Sequence, residues 1–139
     1  VHNLPRLIVQ AGAHQPVAVM IARGDLAMEV GTERLSEVQE EILWLCEAAH
    51  VPVVWATQVL ETLMKSGAPS RAEVTDAAMG QRAECVMLNK GPYVIETIGF
   101  LAGILRRMGR HQFKKTARLS ALTSWRGDQP LADKAARGA

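Results

Sequence analysis

Aromatic side chains are scarce in this sequence, at 4% of 139 residues, and cysteine appears only twice. Cys46 and Cys85 sit inside apolar stretches without metal-ligand spacing, which excludes a disulfide framework and a structural zinc site. Both are expected to be buried, reduced thiols of a cytoplasmic protein. No apolar run approaches the roughly 18 residues of a membrane helix, and the N-terminus lacks the charged-then-apolar pattern of a signal peptide, so no membrane partner is expected. Acidic residues are missing from Thr97 to Gly127, where Arg106, Arg107, Arg110, Lys114, Lys115, Arg118 and Arg126 accumulate. A basic stretch can meet nucleic acid, but with so few aromatics the commoner outcome is a solvated helix end, and no nucleic-acid partner is expected.

What is present describes one globular domain. Apolar residues make up 48% and charged residues 22%, with a formal net charge of +2. A chain of this size removes about two-thirds of its unfolded surface from water. It opens on Val1 rather than Met, from which we expect a fragment or a processed product.

Three short apolar segments stand out: Val17–Ile21, Val51–Ala56 and Cys85–Leu88. They are continuous rather than alternating, as strands buried on both faces are in parallel sheets. Their ends recur at about 32 to 35 residues, room for one strand, one helix and two loops. Between them, Leu35, Val38, Ile42, Leu45 and Ala49 fall at helical spacing, with Ser36 and Gln39 placed for a capping box. Leu60–Met64 and the stretch near Arg71 to Arg82 predict two further helices. Gly91-Pro92 predicts a helix start, with Val94, Ile98, Leu101, Leu105 and Met108 on one face. Leu4 to Ala13 predicts another helix before the first strand. The fold class is therefore α/β with a parallel sheet, with residues 1–110 as its body. Residues 111–139 are expected to be a basic segment and a weakly ordered tail.

In such folds ligands bind beyond the carboxyl ends of the strands. The first strand runs into Ala22-Arg23-Gly24-Asp25, the second into Thr57-Gln58 and the third into Asn89-Lys90-Gly91. Gly24 lets an anion approach the backbone, Asp25 is a hard oxygen ligand suited to magnesium or manganese, and Thr57 offers a hydroxyl. Each also has a structural reading, as a turn or helix cap. His2, His14, His50 and His111 all fall in helix ends or loops and are assigned no site.

The wording at these strand ends is more specific than their spacing. Met20 to Glu29, reading M-I-A-R-G-D-L-A-M-E, resembles the pyruvate kinase segment M-V-A-R-G-D-L-G-x-E. Pro52 to Glu61, P-V-V-W-A-T-Q-V-L-E, resembles that family's P-V-I-x-A-T-Q-M-L-E. Pro69 to Asp76 resembles P-T-R-A-E-V-S-D, and Val86-Met87-Leu88 opens the family's V-M-L-S-G-E-T. The matches keep the family's order and cover roughly Leu4 to Met108. The resemblance implies the C-terminal half of a catalytic TIM (β/α)8 barrel, three parallel strands alternating with helices. It implies the glycolytic transfer of phosphoryl from phosphoenolpyruvate to ADP, giving pyruvate and ATP, with Mg2+ (or Mn2+) and K+. Carried over by position, Asp25 would bind the divalent metal and the amides of Gly24 and Asp25 the substrate carboxylate. Thr57 would be the catalytic residue beside the methylene carbon.

Two departures lie in the matched stretch. Asn89-Lys90-Gly91-Pro92 stands where the family has Ser-Gly-Glu-Thr, and the run from Asp76 to Leu88 is about two residues short. A related phosphoenolpyruvate/pyruvate-barrel enzyme with altered chemistry, or a non-catalytic remnant, are the alternative readings. The family's lysine, its second metal-binding glutamate and its potassium and nucleotide ligands are expected upstream of Val17, outside this chain. By itself the chain is therefore expected to be inactive, and three strands of eight are expected to leave an uncovered face that drives homo-oligomer formation.

Overall fold

The computed structural model describes residues 1–113 and 116–117. Helix α1 (Leu4–Gly12) precedes strand β1 (Val19–Ala22), which runs into α2 (Arg23–Val30) and then α3 (Leu35–Ala48). Strand β2 (Val53–Ala56) is followed by α4 (Glu61–Ser66), α5 (Arg71–Met79) and a 3-10 turn (Gly80–Arg82). Strand β3 (Cys85–Val86) leads to α6 (Val94–Met108) and a small hairpin, β4 (Gln112–Phe113) with β5 (Thr116–Ala117). The first three strands form one sheet in the order β1-β2-β3. Both pairings are parallel, with Val19 to Ala22 opposite Val53 to Ala56 and Cys85-Val86 opposite Val54-Trp55. This is a partial (β/α)8 barrel: three neighbouring parallel strands, each followed by helix.

The sheet's two faces differ. Ile21, Trp55 and Val86 share one row; Ile21 and Trp55 are buried and Val86 packs against the core with Leu43, Cys46 and Leu60. The adjacent row, on the opposite face by the period of two, is Met20, Val54 and Cys85. Met20 is 55% exposed, Val54 half-buried and Cys85 exposed. Cys85 therefore departs from the expected burial, while Cys46 conforms to it. The reason is topological: the residue belongs to the face that a closed barrel turns inward, and three strands leave that face open.

Several local expectations are corrected. Arg23-Gly24-Asp25, where the first strand was expected to end, forms the first turn of α2, a helix the apolar pattern does not announce because none of its side chains is buried. Gly31, at φ 83°, ends that helix in a backbone conformation L side chains resist. The Ser36/Gln39 capping box does not form, since α3 begins at Leu35 with Arg34 as its cap residue. A capping box is instead built at α5, where the Ser70 hydroxyl accepts the Glu73 N–H and the Glu73 carboxylate accepts the Ser70 N–H. On α3 the buried residues are Val38, Ile42, Leu43 and Cys46, and Ala49 lies exposed past the helix end. On α6 Ile98 is exposed and Thr97 buried, its hydroxyl donating to the Tyr93 carbonyl at 2.7 Å. The four histidines do fall at helix ends and turns. Of the segment 111–139, residues 111–113 and 116–117 are described, while the rest, with Lys114, Lys115, Arg118 and Arg126, lies outside the described residues.

Gly91-Pro92 does not open α6, which starts at Val94. Gly91 is needed for a different reason. A Cβ there would lie 2.5 Å from Met64 Cγ and 2.6 Å from the Met64 carbonyl oxygen, so the strand-to-helix loop presses its backbone onto the end of α4. Gly99, within α6, has nothing within 4 Å of such a Cβ. Gly91→Ala is expected to cost about 1–3 kcal/mol by overpacking. Gly99→Ala should gain about 0.5–1 kcal/mol by reducing unfolded-state freedom and improving helix propensity. Urea unfolding of both variants checks the contrast, and equal stabilities would contradict it.

Candidate active site

Parallel pairing of β1 with β2 ends at Ala22 opposite Ala56. The next residues of both strands, Arg23-Gly24 and Thr57-Gln58, therefore emerge side by side at the carboxyl end of the sheet. Gly24 donates its N–H to Thr57 Oγ1 at 3.0 Å. An open cleft of about 300 Å³ begins here, lined in part by Arg23, Gly24, Thr57, Gln58, Glu73 and Asp76. That volume is at the lower end for small-ligand sites.

Arg23 organises the cleft. Its Nε donates to the Ala56 carbonyl at 2.8 Å, its Nη2 to the Thr57 carbonyl and its Nη1 to Asp76 Oδ1. The guanidinium carbon lies 4.7 Å from the centroid of the Trp55 ring, so one cation is held by two backbone dipoles, a carboxylate and an aromatic face. The Arg23 side chain is only 10% exposed and Asp76 31%. Removing one partner of a largely buried, hydrogen-bonded pair costs about 3–5 kcal/mol, so this contact matters to folding as well.

The turn that Arg23 grips is strained. Thr57 has φ 64°, Gln58 55° and Leu60 51°, three of the four non-glycine residues with left-handed φ among those described. Each such residue costs of order 1–3 kcal/mol and persists only where surrounding contacts over-determine it. For β-branched Thr57 the conformation is a real outlier. Arg23 supplies two of those contacts.

Of the residues singled out from sequence, Gly24 and Thr57 are brought together. Asp25 sits beside them in the first turn of α2, where a carboxylate is favoured by the helix dipole, and is exposed. Among the described residues it makes no ion pair or side-chain hydrogen bond and does not line the cleft with Gly24 and Thr57. Asn89 and Lys90, at the end of the third strand, are exposed. Arg23 and Asp76 were missed as site residues. The signal available was a charged residue at the buried end of an apolar strand, which must find a partner.

Glu73 closes the cleft's far side. Burial opposes its ionisation, but hydrogen bonds from the Ser70 and Thr62 backbone N–H groups outweigh that and hold its carboxyl below the usual glutamate value. The carboxylate thereby ties the start of α4 to the cap of α5.

Three consecutive strand-helix units in parallel order, with a cleft beyond their carboxyl ends, define a segment of a (β/α)8 barrel, the class in which ligands bind at this end of the strands. Residues 9–98 match the family model described as pyruvate kinase, barrel domain. A pyruvate kinase of Dictyostelium discoideum is 42% identical, the match covering 63% of this chain and 18% of that protein. The cytosolic isozyme of pyruvate kinase from Nicotiana tabacum is 41% identical over the same shares, 63% and 18%. A crystal structure of a pyruvate kinase from Cryptosporidium parvum superposes with a TM-score of 0.62 at 35% identity, covering 66% of this chain and 20% of that one. The chain belongs to the pyruvate kinase family. It spans about a fifth of the length of the relatives it matches.

A depressed carboxyl pKa stabilises the fold above the group's unfolded value and stops doing so as pH falls through the folded one. The Glu73 contribution should therefore be complete above about 4.5, its ordinary value, and disappear on acidification below that. Glu73→Gln should lower the melting temperature at pH 7 and flatten the acid limb of the stability curve. An unchanged acid limb in that variant would contradict the assignment.

Proposed function

We propose that this chain supplies the strand-end substrate surface of a pyruvate kinase, the enzyme that moves phosphoryl from phosphoenolpyruvate to ADP. The carrying observation is the meeting of Gly24 and Thr57 across β1 and β2, with Thr57 Oγ1 3.0 Å from the Gly24 amide. In this reading the Asp25 amide, at the positive end of α2, holds the substrate carboxylate, and the Gly24 amide joins it by exchanging its bond to Thr57 Oγ1 for one to the ligand. Thr57 lies beside the methylene carbon, where its hydroxyl can hold or pass the proton that turns the enolate into pyruvate. The strained turn sets that hydroxyl before the ligand arrives, which is the positioning that phosphoryl transfer and enolate protonation both need.

Asp25, exposed and unpaired, fits one ligand position of Mg2+ or Mn2+. No three His, Cys, Asp or Glu side chains cluster among the described residues. Magnesium is commonly held by one or two carboxylates with water and substrate oxygens completing its shell, so a single carboxylate is compatible with it. The ion's chemistry, when bound, is stabilisation of charge developing on the enolate and phosphoryl oxygens. Potassium ligands and the ADP site are assigned to other parts of a whole enzyme. The cytoplasm is the proposed location; no described helix is long and apolar enough to cross a membrane. A second copy covering the open Met20–Val54–Cys85 row is the proposed homo-oligomer.

Titration of isotopically labelled chain with phosphoenolpyruvate and Mg2+ tests the site. The Gly24 and Asp25 amide resonances should move, and Asp25→Ala should abolish the Mg2+-dependent part. A coupled lactate dehydrogenase assay with ADP and K+ should detect no turnover by the chain alone. Light scattering on the same samples should give a mass above that of one chain. Amides that stay still at millimolar ligand would defeat the proposed site, turnover by the chain alone would defeat its predicted inactivity, and a monodisperse monomer would defeat the oligomer.

A further inference from the structure

We infer that Arg23 is a positioning residue: it holds the Thr57-Gln58 turn in its left-handed conformation, and so determines whether the Thr57 hydroxyl and the Gly24 amide form one ligand site. The importance of Gly24 and Thr57 rests on the function proposed above; the control exerted by Arg23 does not.

The geometry separates this role from that of an ordinary buried ion pair. An ion pair with Asp76 needs one arm of the guanidinium. Arg23 uses the other donors on the carbonyls of Ala56 and Thr57, the last residue of β2 and the first residue of the strained turn. Those two bonds span the point where the chain leaves extended geometry for φ 64° at Thr57 and 55° at Gln58. A planar fork with fixed donor directions can hold two successive carbonyls, whereas a lysine ammonium on a flexible stem cannot reproduce both. Asp76 on α5 and the Trp55 ring fix the guanidinium from its remaining sides, so the fork itself has little freedom. The result reaches the site through Thr57: its backbone is held by Arg23 and its side chain accepts the Gly24 N–H. Arg23 thus acts from beneath the ligand surface, through a turn that would otherwise relax toward extended backbone.

The strain supplies a test that an ion-pair role alone would fail. Glycine accepts left-handed φ without penalty, so Gln58→Gly lowers the cost of the turn independently of Arg23. Four forms of the labelled chain are compared: unaltered, Arg23→Lys, Gln58→Gly and the double variant. Arg23→Lys should shift the Thr57 and Gln58 backbone couplings toward extended values, move the free Gly24 amide resonance and weaken phosphoenolpyruvate binding about tenfold, the size of one well-placed hydrogen bond. Adding Gln58→Gly should restore the couplings and the Gly24 resonance in large part, while the lost Asp76 contact stays lost. Retention of left-handed Thr57 and Gln58 in Arg23→Lys would overturn the inference, as would a double variant no closer to the unaltered chain than the single one. If Arg23→Lys does not fold, Asp76→Asn, which removes only the anchor of the fork, is read by the same couplings and the same rescue. Absence of any phosphoenolpyruvate response in the unaltered chain counts against the proposed function, while the couplings still decide the role of Arg23.

Discussion

The parallel pairing of β1 with β2 is the constraint on which the rest of the structure depends. With Ala22 opposite Ala56, the next residues of both strands leave the sheet at one level. Gly24 and Thr57 then meet, although 33 residues separate them in sequence. A register slip of one residue would turn every side chain to the opposite face and separate them. The apolar row of Ile21, Trp55 and Val86 resists that slip, because it would trade buried side chains for Met20, Val54 and Cys85. Core packing thus fixes the site geometry, and Arg23 extends its control one residue past the end of the strand.

Much of this was legible in the residues. The three strands lie within the apolar runs at Val17–Ile21, Val51–Ala56 and Cys85–Leu88, apart from Ala22 at the end of the first, because short β-branched runs bounded by polar residues have few other folds open to them. Family wording singled out Gly24 and Thr57, which line the cleft, and Asp25, which does not. What sequence patterns could not carry were features set by long-range partners. Helix α2 has no buried residue and therefore no apolar stripe. The Ser36/Gln39 pattern lost to a helix whose cap residue, Arg34, lies two positions earlier, while Ser70 and Glu73 made the box. Burial of Cys85 failed because an apolar run does not reveal whether both faces of its sheet are covered. Left-handed φ at Thr57 and Gln58 contradicts local propensity altogether, and conflicts of that kind concentrate at functional sites.

The division of the sheet into a packed face and an open one also separates folding from chemistry. Side chains of α1, α3, α4, α5 and α6 join Ile21, Val53 and Trp55 of the sheet in the core. The Met20–Val54–Cys85 side is where a closed barrel would place its interior packing. The cleft at Gly24 and Thr57 is built almost entirely from contacts on the packed side, through Arg23, Trp55 and Asp76. Local site geometry is therefore formed within these three strands and their helices.

The contact between the Gly24 amide and the Thr57 side chain tests the account most directly. In a labelled sample of the chain, the account predicts a nuclear Overhauser cross-peak between the Gly24 amide proton and the Thr57 side-chain protons, accompanied by Ala22–Ala56 cross-strand peaks. Sharp, assigned Gly24 and Thr57 resonances without that cross-peak would contradict it, because the two strand ends would then not meet.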